Sequence, residues 1–400
     1  MRVLLFLFIA LEANAGTWFV APNGRDTNAG SESRPFRSIN HAVDVARAGD
    51  TVAVAEGVYR EAVMVWDKNA TASATIRILG TKAVIDGTGV KVKNGLVMIG
   101  RSSWIHFEGF EVRNSAADGV VAYDVRNVKV RGNEVHHNRG GGIQVSGKDI
   151  AVQENAIHDN VLENASGKAR QWSQAVAAED ATRVLIEGNR VFENYGEGID
   201  AIRVDRVTIH RNRVRDNFSV NIYLDNARRT TVDANLVRDT GQTRFRRDGD
   251  PAFGIAMANE RYPRQNPLSD LTITNNIIVR ARAGIYYADS EFRGGLHQTV
   301  IAHNTIYGST WAAIVVGGAG GRSAGHDTTT ISDNIIEAPS GVDFVARDTR
   351  GVAFRANCWW GGKRETRVRG AGDVYADPQL GGDYRPRASS PCRAAGAAAF

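Results

Sequence analysis

The densest group of reactive side chains lies between Glu197 and Asn226. Two segments there, Glu197-Gly198-Ile199-Asp200-Ala201-Ile202-Arg203-Val204 and Asn221-Ile222-Tyr223-Leu224-Asp225-Asn226, share one pattern and carry Asp, Tyr and Arg at alternate positions. Glu179 and Asp180 hold the equivalent places one segment earlier. The carboxylates Glu179, Asp180, Glu197 and Asp200 offer the hard oxygen ligands that Ca2+ takes. Such an ion would bridge to a substrate carboxylate and acidify the neighbouring C–H. A base would remove that proton and the glycosidic oxygen would leave by β-elimination. Tyr223 or Lys148 could be that base if its pKa were depressed, with Arg203 neutralising the developing enolate. The same residues permit hydrolysis, because Asp200 with Asp225 or Glu179 supplies the two carboxyls that glycoside cleavage needs. For Asp180 and Arg203, an ordinary ion pair between neighbouring repeats is the preferred reading.

These segments belong to a repeat. Nine short alternating runs end in Asn, at Asn133, Asn155, Asn189, Asn212, Asn235, Asn276, Asn304, Asn334 and Asn357, with a shortest common interval of about 23 residues. A period of that size denotes a solenoid, and period-2 alternation denotes strands. A second Asn often follows five residues later, as at Asn138, Asn160, Asn194 and Asn217. Each unit then offers another strand, such as Gly198-Ile199-Asp200-Ala201, with aliphatic residues facing in and the third position facing out. Stacking piles like side chains into columns: Asp200 beside Tyr223, Glu179 and Asp225 flanking Ile202, and Asp180, Arg203 and Asn226 in a third. The Asn columns are expected to be hydrogen-bonded ladders inside turns.

Two long insertions interrupt the repeat just before such strands, Val161–Ser173 and Thr240–Ala252. They are expected to wall a cleft whose floor carries Asp200 and Tyr223. Lys168, Arg170 and Trp172 on one wall, Arg244, Arg246 and Arg247 on the other, and Lys148 on the floor are the candidate substrate-binding residues. Arg forks pair with carboxylates and an aromatic face stacks on a sugar ring. His136, His137, His158, His210 and His303 read as turn or surface residues rather than ligands.

The rest of the chain bounds the reading. Met1-Arg2, the apolar run Val3–Leu11 and Ala13-Asn14-Ala15 form a signal peptide cleaved after Ala15, so an exported protein is expected, secreted or periplasmic. Nine apolar residues cannot span a bilayer, and no other stretch approaches spanning length. The net charge of +5 suits an acidic polysaccharide, and no dense Lys/Arg run suggests nucleic acid. Cys358 and Cys392 are expected to form one disulfide. Ser38 is a plausible N-cap for a short amphipathic helix from Ile39 that covers the first coil. The expected divisions are a signal peptide at 1–15, a cap and first coils at 16–100, β-helix repeats at 101–380 and a tail at 381–400, in a monomer.

Phe19-Val20-Ala21-Pro22-Asn23-Gly24, Pro35-Phe36, Gly49-Asp50-Thr51-Val52 and Gly57-Val58-Tyr59-Arg60-Glu61 resemble the opening of the pectate lyase L-like group. Asp377-Pro378 and Ser390-Pro391 resemble the tail of such chains. With the repeat, nearly the whole mature chain resembles the right-handed parallel β-helix proteins of the pectate-lyase-like superfamily. The resemblance implies an all-β, right-handed parallel β-helix. The fold hosts several reactions; the expected one is a polysaccharide lyase acting on an acidic, uronate-containing polysaccharide, with a non-catalytic glycan-binding or structural protein and a glycoside hydrolase as alternatives. In the L-like group an Asp-rich rung is followed one coil later by a catalytic Lys. Here the corresponding residues are Asp200 and Tyr223, a departure from that pattern.

Overall fold

The computed structural model describes residues 15–167, 171–262, 267–288, 294–317, 325–339, 341–346, 349–363, 368 and 370–397. Short strands coil into a right-handed parallel β-helix, and a full coil contributes three of them. One coil runs Glu197–Ile202, Asp205–His210, Arg213–Arg215, and the next runs Val220–Asp225, Arg228–Asp233, Leu236–Arg238. Each strand pairs in parallel with its counterpart one coil on, as in Ile199 with Ile222, Asp205 with Arg228 and Arg213 with Leu236. Stacking begins at Thr17–Val20, which pairs with Thr51–Val54.

Alternation puts the aliphatic positions inside. Ile199, Ile222, Ile255, Ile285 and Ile314 lie in register down one wall of the core, all fully buried. Burying each such side chain contributes about 1.5–3 kcal/mol. Each coil therefore gains its stability by covering its neighbour.

The expected Asn ladder is present. From Asn133 to Asn357 the side-chain amide of each Asn donates to the Oδ1 of the next at 2.9–3.0 Å, and that same oxygen accepts the backbone N–H of the Asn before it. The backbone shows why the ladder is needed. Every ladder Asn follows a residue with left-handed φ, from Gly132 and Glu154 through Arg211 and His303 to Ala356. The corner leaves backbone groups without sheet partners, and a buried unpaired group costs about 1–3 kcal/mol. The carboxamide supplies both a donor and an acceptor. A second ladder runs from Asn138 through Asn160 and Asn194 to Asn217.

Both ends are covered. Ile39–Val45 is the helix, capped by Ser38, which accepts from the His41 backbone, and by the Glu61 carboxylate, which accepts from Ile39 and Asn40. Its buried face is Ile39, Ala42 and Val43. At the other end Cys358 and Cys392 form a disulfide across 34 residues. No helix among the described residues is long and apolar enough to cross a membrane. Residues 1–14, which hold most of the expected signal peptide, lie outside the described residues.

Candidate functional site

The outward face of the first sheet carries the site. Its central column reads Ala177, Asp200, Tyr223, Ala256, Tyr286 in register. The next column reads Glu179, Ile202, Asp225, Ala258. Both follow the spacing expected from the repeat. At the strand ends Asp180, Arg203 and Asn226 all adopt left-handed φ, which turns the chain sharply off the floor. A cleft of about 710 Å³ opens over these columns.

The walls differ from expectation. The insertions Val161–Ser173 and Thr240–Ala252 do not face each other across the floor. Both rise from the same edge, as their shared place before a floor strand implies, but there they pack together into one wall. Phe245 is buried against Val161 and Tyr195, and the Arg247 guanidinium lies 4.1 Å from the centre of the Trp172 ring. The opposite wall comes from a third excursion beginning at Asn259, which carries Glu260 and Tyr262. Spacing alone held a sign of it. Ile222 pairs with Ile255, 33 residues on, while Thr230 pairs with Leu271, 41 residues on. The excess over one coil is therefore split between two loops, one on each side of the strand Phe253–Ala258.

Of the proposed binding residues, Trp172 and Arg247 line the cleft. Arg244 instead donates to the Tyr195 hydroxyl at 2.5 Å, and Arg246 pairs with Asp239 at 2.8 Å. Lys148 lies past the bulge at Gly147, in register with Arg126 and Thr182 on the adjoining sheet, and does not reach the floor. Lys168 and Arg170 lie outside the described residues.

The expected metal set is not assembled. Arg203 holds Asp180 through two bonds, at 2.9 and 2.7 Å, and Glu179 through a third at 2.5 Å. The preferred ion-pair reading of Asp180 and Arg203 therefore describes the geometry. Among the described residues no three His, Cys, Asp or Glu side chains converge at metal-ligating spacing. The residues proposed for Ca2+ do not fit it, and no step is derived through a metal.

Four carboxyls do converge: Glu197, Asp200, Asp225 and Glu260. Asp200 is completely buried, Asp225 is 1% exposed and Glu197 5%. Among the described residues no amide, hydroxyl or guanidinium donates to either Asp200 oxygen, and the group it faces is the Glu197 carboxyl. Two carboxyls in that position share a proton. Burial, with the neighbouring Glu197 charge next in weight, raises Asp200 well above the usual carboxylate range. Burial pushes Glu197 up to about 7, opposed by its bond to Asp200 and reinforced by the Glu260 charge. Asp225 is likewise pushed to about 7 by burial, although it accepts the Tyr262 hydroxyl.

The tyrosines serve these acids. Tyr223 donates to Glu260 Oε1 at 2.5 Å, and the Glu260 backbone N–H donates to Asn226 Oδ1 at 2.7 Å. Burial and the charges of Glu260 and Asp225 raise the Tyr223 phenol far above its ordinary value. The depressed pKa that a tyrosine base requires is thus reversed here. Arg203 lies 4.3 Å from the Tyr262 ring centre, so its charge is spent on Glu179, Asp180 and that ring. Beyond the carboxyls, Phe253 stacks on Tyr286 with centroids 4.5 Å apart. Sequence reading missed Glu260, Tyr262, Phe253 and Tyr286. Tyr286 occupies the outward third position of its repeat, in the Asp200–Tyr223 column, and could have been found by column; Phe253 lies before its repeat segment, paired with Val220.

The family model described as the Pel9A-like right-handed beta helix region matches residues 18–235, more than half of the chain. The chain belongs to this family. A broader right-handed beta helix model matches residues 168–336. Among solved structures, similar folds include XylC in complex with xylose (TM-score 0.60, 14% identity, 91% of this chain and 87% of that one). The surface adhesin PfbA of Streptococcus pneumoniae is similar at TM-score 0.61 and 13% identity, over 84% of this chain and 86% of that one. The pectate lyase Pel9A is similar at TM-score 0.54 and 13% identity, over 94% of this chain and 90% of that one. At these identities the likeness is one of fold. A curated relative, the uncharacterized protein YwoF of Bacillus subtilis (strain 168), is 41% identical over 63 residues, 15% of this chain and 14% of that protein. The chain thus matches about a seventh of that relative's length.

Proposed function

We propose that this protein is an exported glycan-acting enzyme that cleaves a glycosidic bond by hydrolysis. The observation that carries this reading is the carboxyl cluster, with Glu197 held near pKa 7 beside Glu260 at the foot of an aromatic cleft. Environments that set neighbouring carboxyls apart mark out acid and base. Glu197 keeps its proton near neutrality and donates it to the departing glycosidic oxygen. Asp200, sealed behind it, is a positioning residue that shares that proton. Glu260, oriented by the Tyr223 hydroxyl and by its own backbone bond to Asn226, acts as the second carboxyl, on the sugar or on water. Asp225 positions the wall through Tyr262.

Electrostatics favour a neutral sugar at this point over a uronate. Five carboxylic residues line the cleft against two guanidiniums, and Arg203 is already committed to Glu179 and Asp180. With Glu197, Asp200 and Asp225 raised by burial, the protonated acids suit the hydroxyls and ether oxygens of a neutral sugar. A uronate would find both lining guanidiniums engaged, Arg203 with Glu179 and Asp180 and Arg247 on the Trp172 ring. Trp172, Phe253 and Tyr286 offer ring faces for stacking. The disulfide suits an oxidising compartment and so supports export.

The test is a panel of neutral polysaccharides, xylans first because a structure of similar fold holds xylose, together with pectate and alginate. The expected result is new reducing ends from a neutral glycan, lowered about 100-fold or more in E197Q and E260Q. Ultraviolet-absorbing unsaturated uronates would establish β-elimination instead. Retention on a glycan without any product would leave a binding protein.

A further inference from the structure

We propose that a second surface on the same sheet, three to five rungs toward the N-terminus from Asp200, binds a distal part of the same glycan chain, so that the enzyme acts within a polymer. This rests on reading the carboxyl cleft as a glycan site. The outward column runs Val121, Gln144, Ala177, Asp200 in unbroken register. Tyr123 shares the Val121 rung and Trp66 lies two rungs further out, so at a rung spacing of about 4.8 Å the surface stands roughly 14–24 Å from Asp200.

The second surface is built around a flat indole. Trp66 pairs with Gly100, and Gly100 with Tyr123, on three successive rungs. A Cβ on Gly100 would stand 1.9 Å from the indole Cζ3, so glycine lets the ring lie down on the backbone of the next rung. Tyr123 is 56% exposed, and Met64, two residues before Trp66, is also exposed. Tyr123 is the exposed ring, and the half-buried Trp66 indole beside it carries the Arg101 guanidinium 5.4 Å from its centre. Exposed rings on a rigid sheet are the platforms that sugar faces stack on. Polar groups rim the platform: Lys93, Arg139, Asp118 and Glu163 line a hollow of about 590 Å³.

One loop borders both the hollow and the cleft. Glu163 and Ser173 line the hollow, and the Ser173 hydroxyl donates to Glu163 at 3.0 Å. Trp172, between them in sequence and next to Ser173, lines the cleft. On the far side of the carboxyls Tyr286 stands three rungs from Asp200, stacked on Phe253 and 6.1 Å from the Trp311 ring. Tyr123 and Tyr286 thus stand three rungs from Asp200 on either side along the helix axis, with Trp66 two rungs beyond Tyr123. A site for a terminal sugar needs a blocked end, whereas paired platforms suit a chain that passes through.

The experiment is affinity electrophoresis of the full chain through gels containing each neutral polysaccharide, alongside kinetics on polymer and on an aryl glycoside of one sugar. Trp66→Ala and Tyr123→Ser are compared with E197Q, and melting curves are recorded for all. Tyr123 is exposed enough that its replacement leaves the fold intact. The expected result is retardation of wild type and E197Q by at least one polymer, weakened about tenfold in both platform variants. Their kcat/KM should fall on polymer, through KM, and stay unchanged on the aryl glycoside. Platform variants retarded like wild type, or a wild type retarded by no polymer, would overturn the proposal. Platform-dependent retardation without turnover would sink the hydrolysis reading and leave this one standing. Turnover of polymer unaffected by either variant would do the reverse.

Discussion

The Tyr223 hydroxyl donates to Glu260 Oε1 at 2.5 Å, so a floor side chain fixes a wall side chain. Tyr223 stands in register with Asp200 on one rung and Ala256 on the other, while Glu260 follows the strand Phe253–Ala258. The bond therefore ties the third excursion to the sheet at the point where the carboxyls meet. It also answers what Tyr223 does at a place where a base was expected. A phenol among carboxylates holds its proton and gives a hydrogen bond.

Replacing Tyr223 by Phe separates these roles. Losing a bond to a charged acceptor should cost about 1.5–3 kcal/mol, read as a lower denaturation midpoint. With Glu260 less firmly held, kcat should fall about tenfold and not vanish. Complete loss of activity at unchanged stability would restore Tyr223 as the proton-transfer group.

Glu197 and Asp225 make stability depend on pH in a defined direction. Their ordinary values are 4.5 and 3.8, and both stand near 7 in the folded protein. Between those limits the folded state holds more protons than the unfolded chain, so stability is greatest in acid and declines as pH rises through 7. The melting temperature should drop on the order of 5 °C from pH 5 to pH 8. E197Q and D225N should each flatten that slope. A melting temperature that rises over this range would contradict the buried-acid assignment. Activity should fall above pH 7 as Glu197 loses its proton.

The Asn ladder should be the costliest polar feature to interrupt. Asn212 gives its amide to Asn235 and to the Ile186 carbonyl, and accepts from the Asn189 backbone and side chain. Asn212→Ala leaves those groups buried and unpaired, for an expected loss of about 2–4 kcal/mol by chemical denaturation. The exposed Arg238→Ala should cost within about 0.5 kcal/mol. Equal effects would show that the ladder is ornamental.

The repeat made the fold legible because stacking imposes one rule on every coil. Ile199, Asp200, Asn212 and Asn217 could be placed in or out by alternation alone, and their columns stand in the structure. Loops obey no such rule. The Thr240–Ala252 insertion and its edge were visible, but not that it would join Val161–Ser173 in a single wall, because length does not tell how Phe245 will pack on Val161 and Tyr195. Glu260 and Tyr262 went unseen because eight further residues hid inside the same long interval. Lys148 was misplaced by one feature, the bulge at Gly147, which carries the chain around a corner. Charge state was the least legible of all. The pKa of Glu197 depends on burial and on Asp200 and Glu260, a neighbourhood that exists only after folding.

The Cys358–Cys392 bond closes 34 residues at the last coils. In the chain-entropy picture its loss costs about 4 kcal/mol. A Cys358→Ala, Cys392→Ala variant should lose protease resistance first at the C-terminal end, with the cleft coils protected longer. Simultaneous loss along the whole helix would mean that the coils melt as one unit.

Hydrolysis requires that Glu197 and Glu260 deliver water to a glycosidic bond. Cleavage of a neutral polysaccharide in isotopically labelled water, read by mass spectrometry of the products, tests this most directly. Hydrolysis places one labelled oxygen in each cleaved product pair and leaves saturated ends, with the signal lost in E197Q. Products lacking both the label and the elements of water, carrying a double bond at the new end, would contradict it.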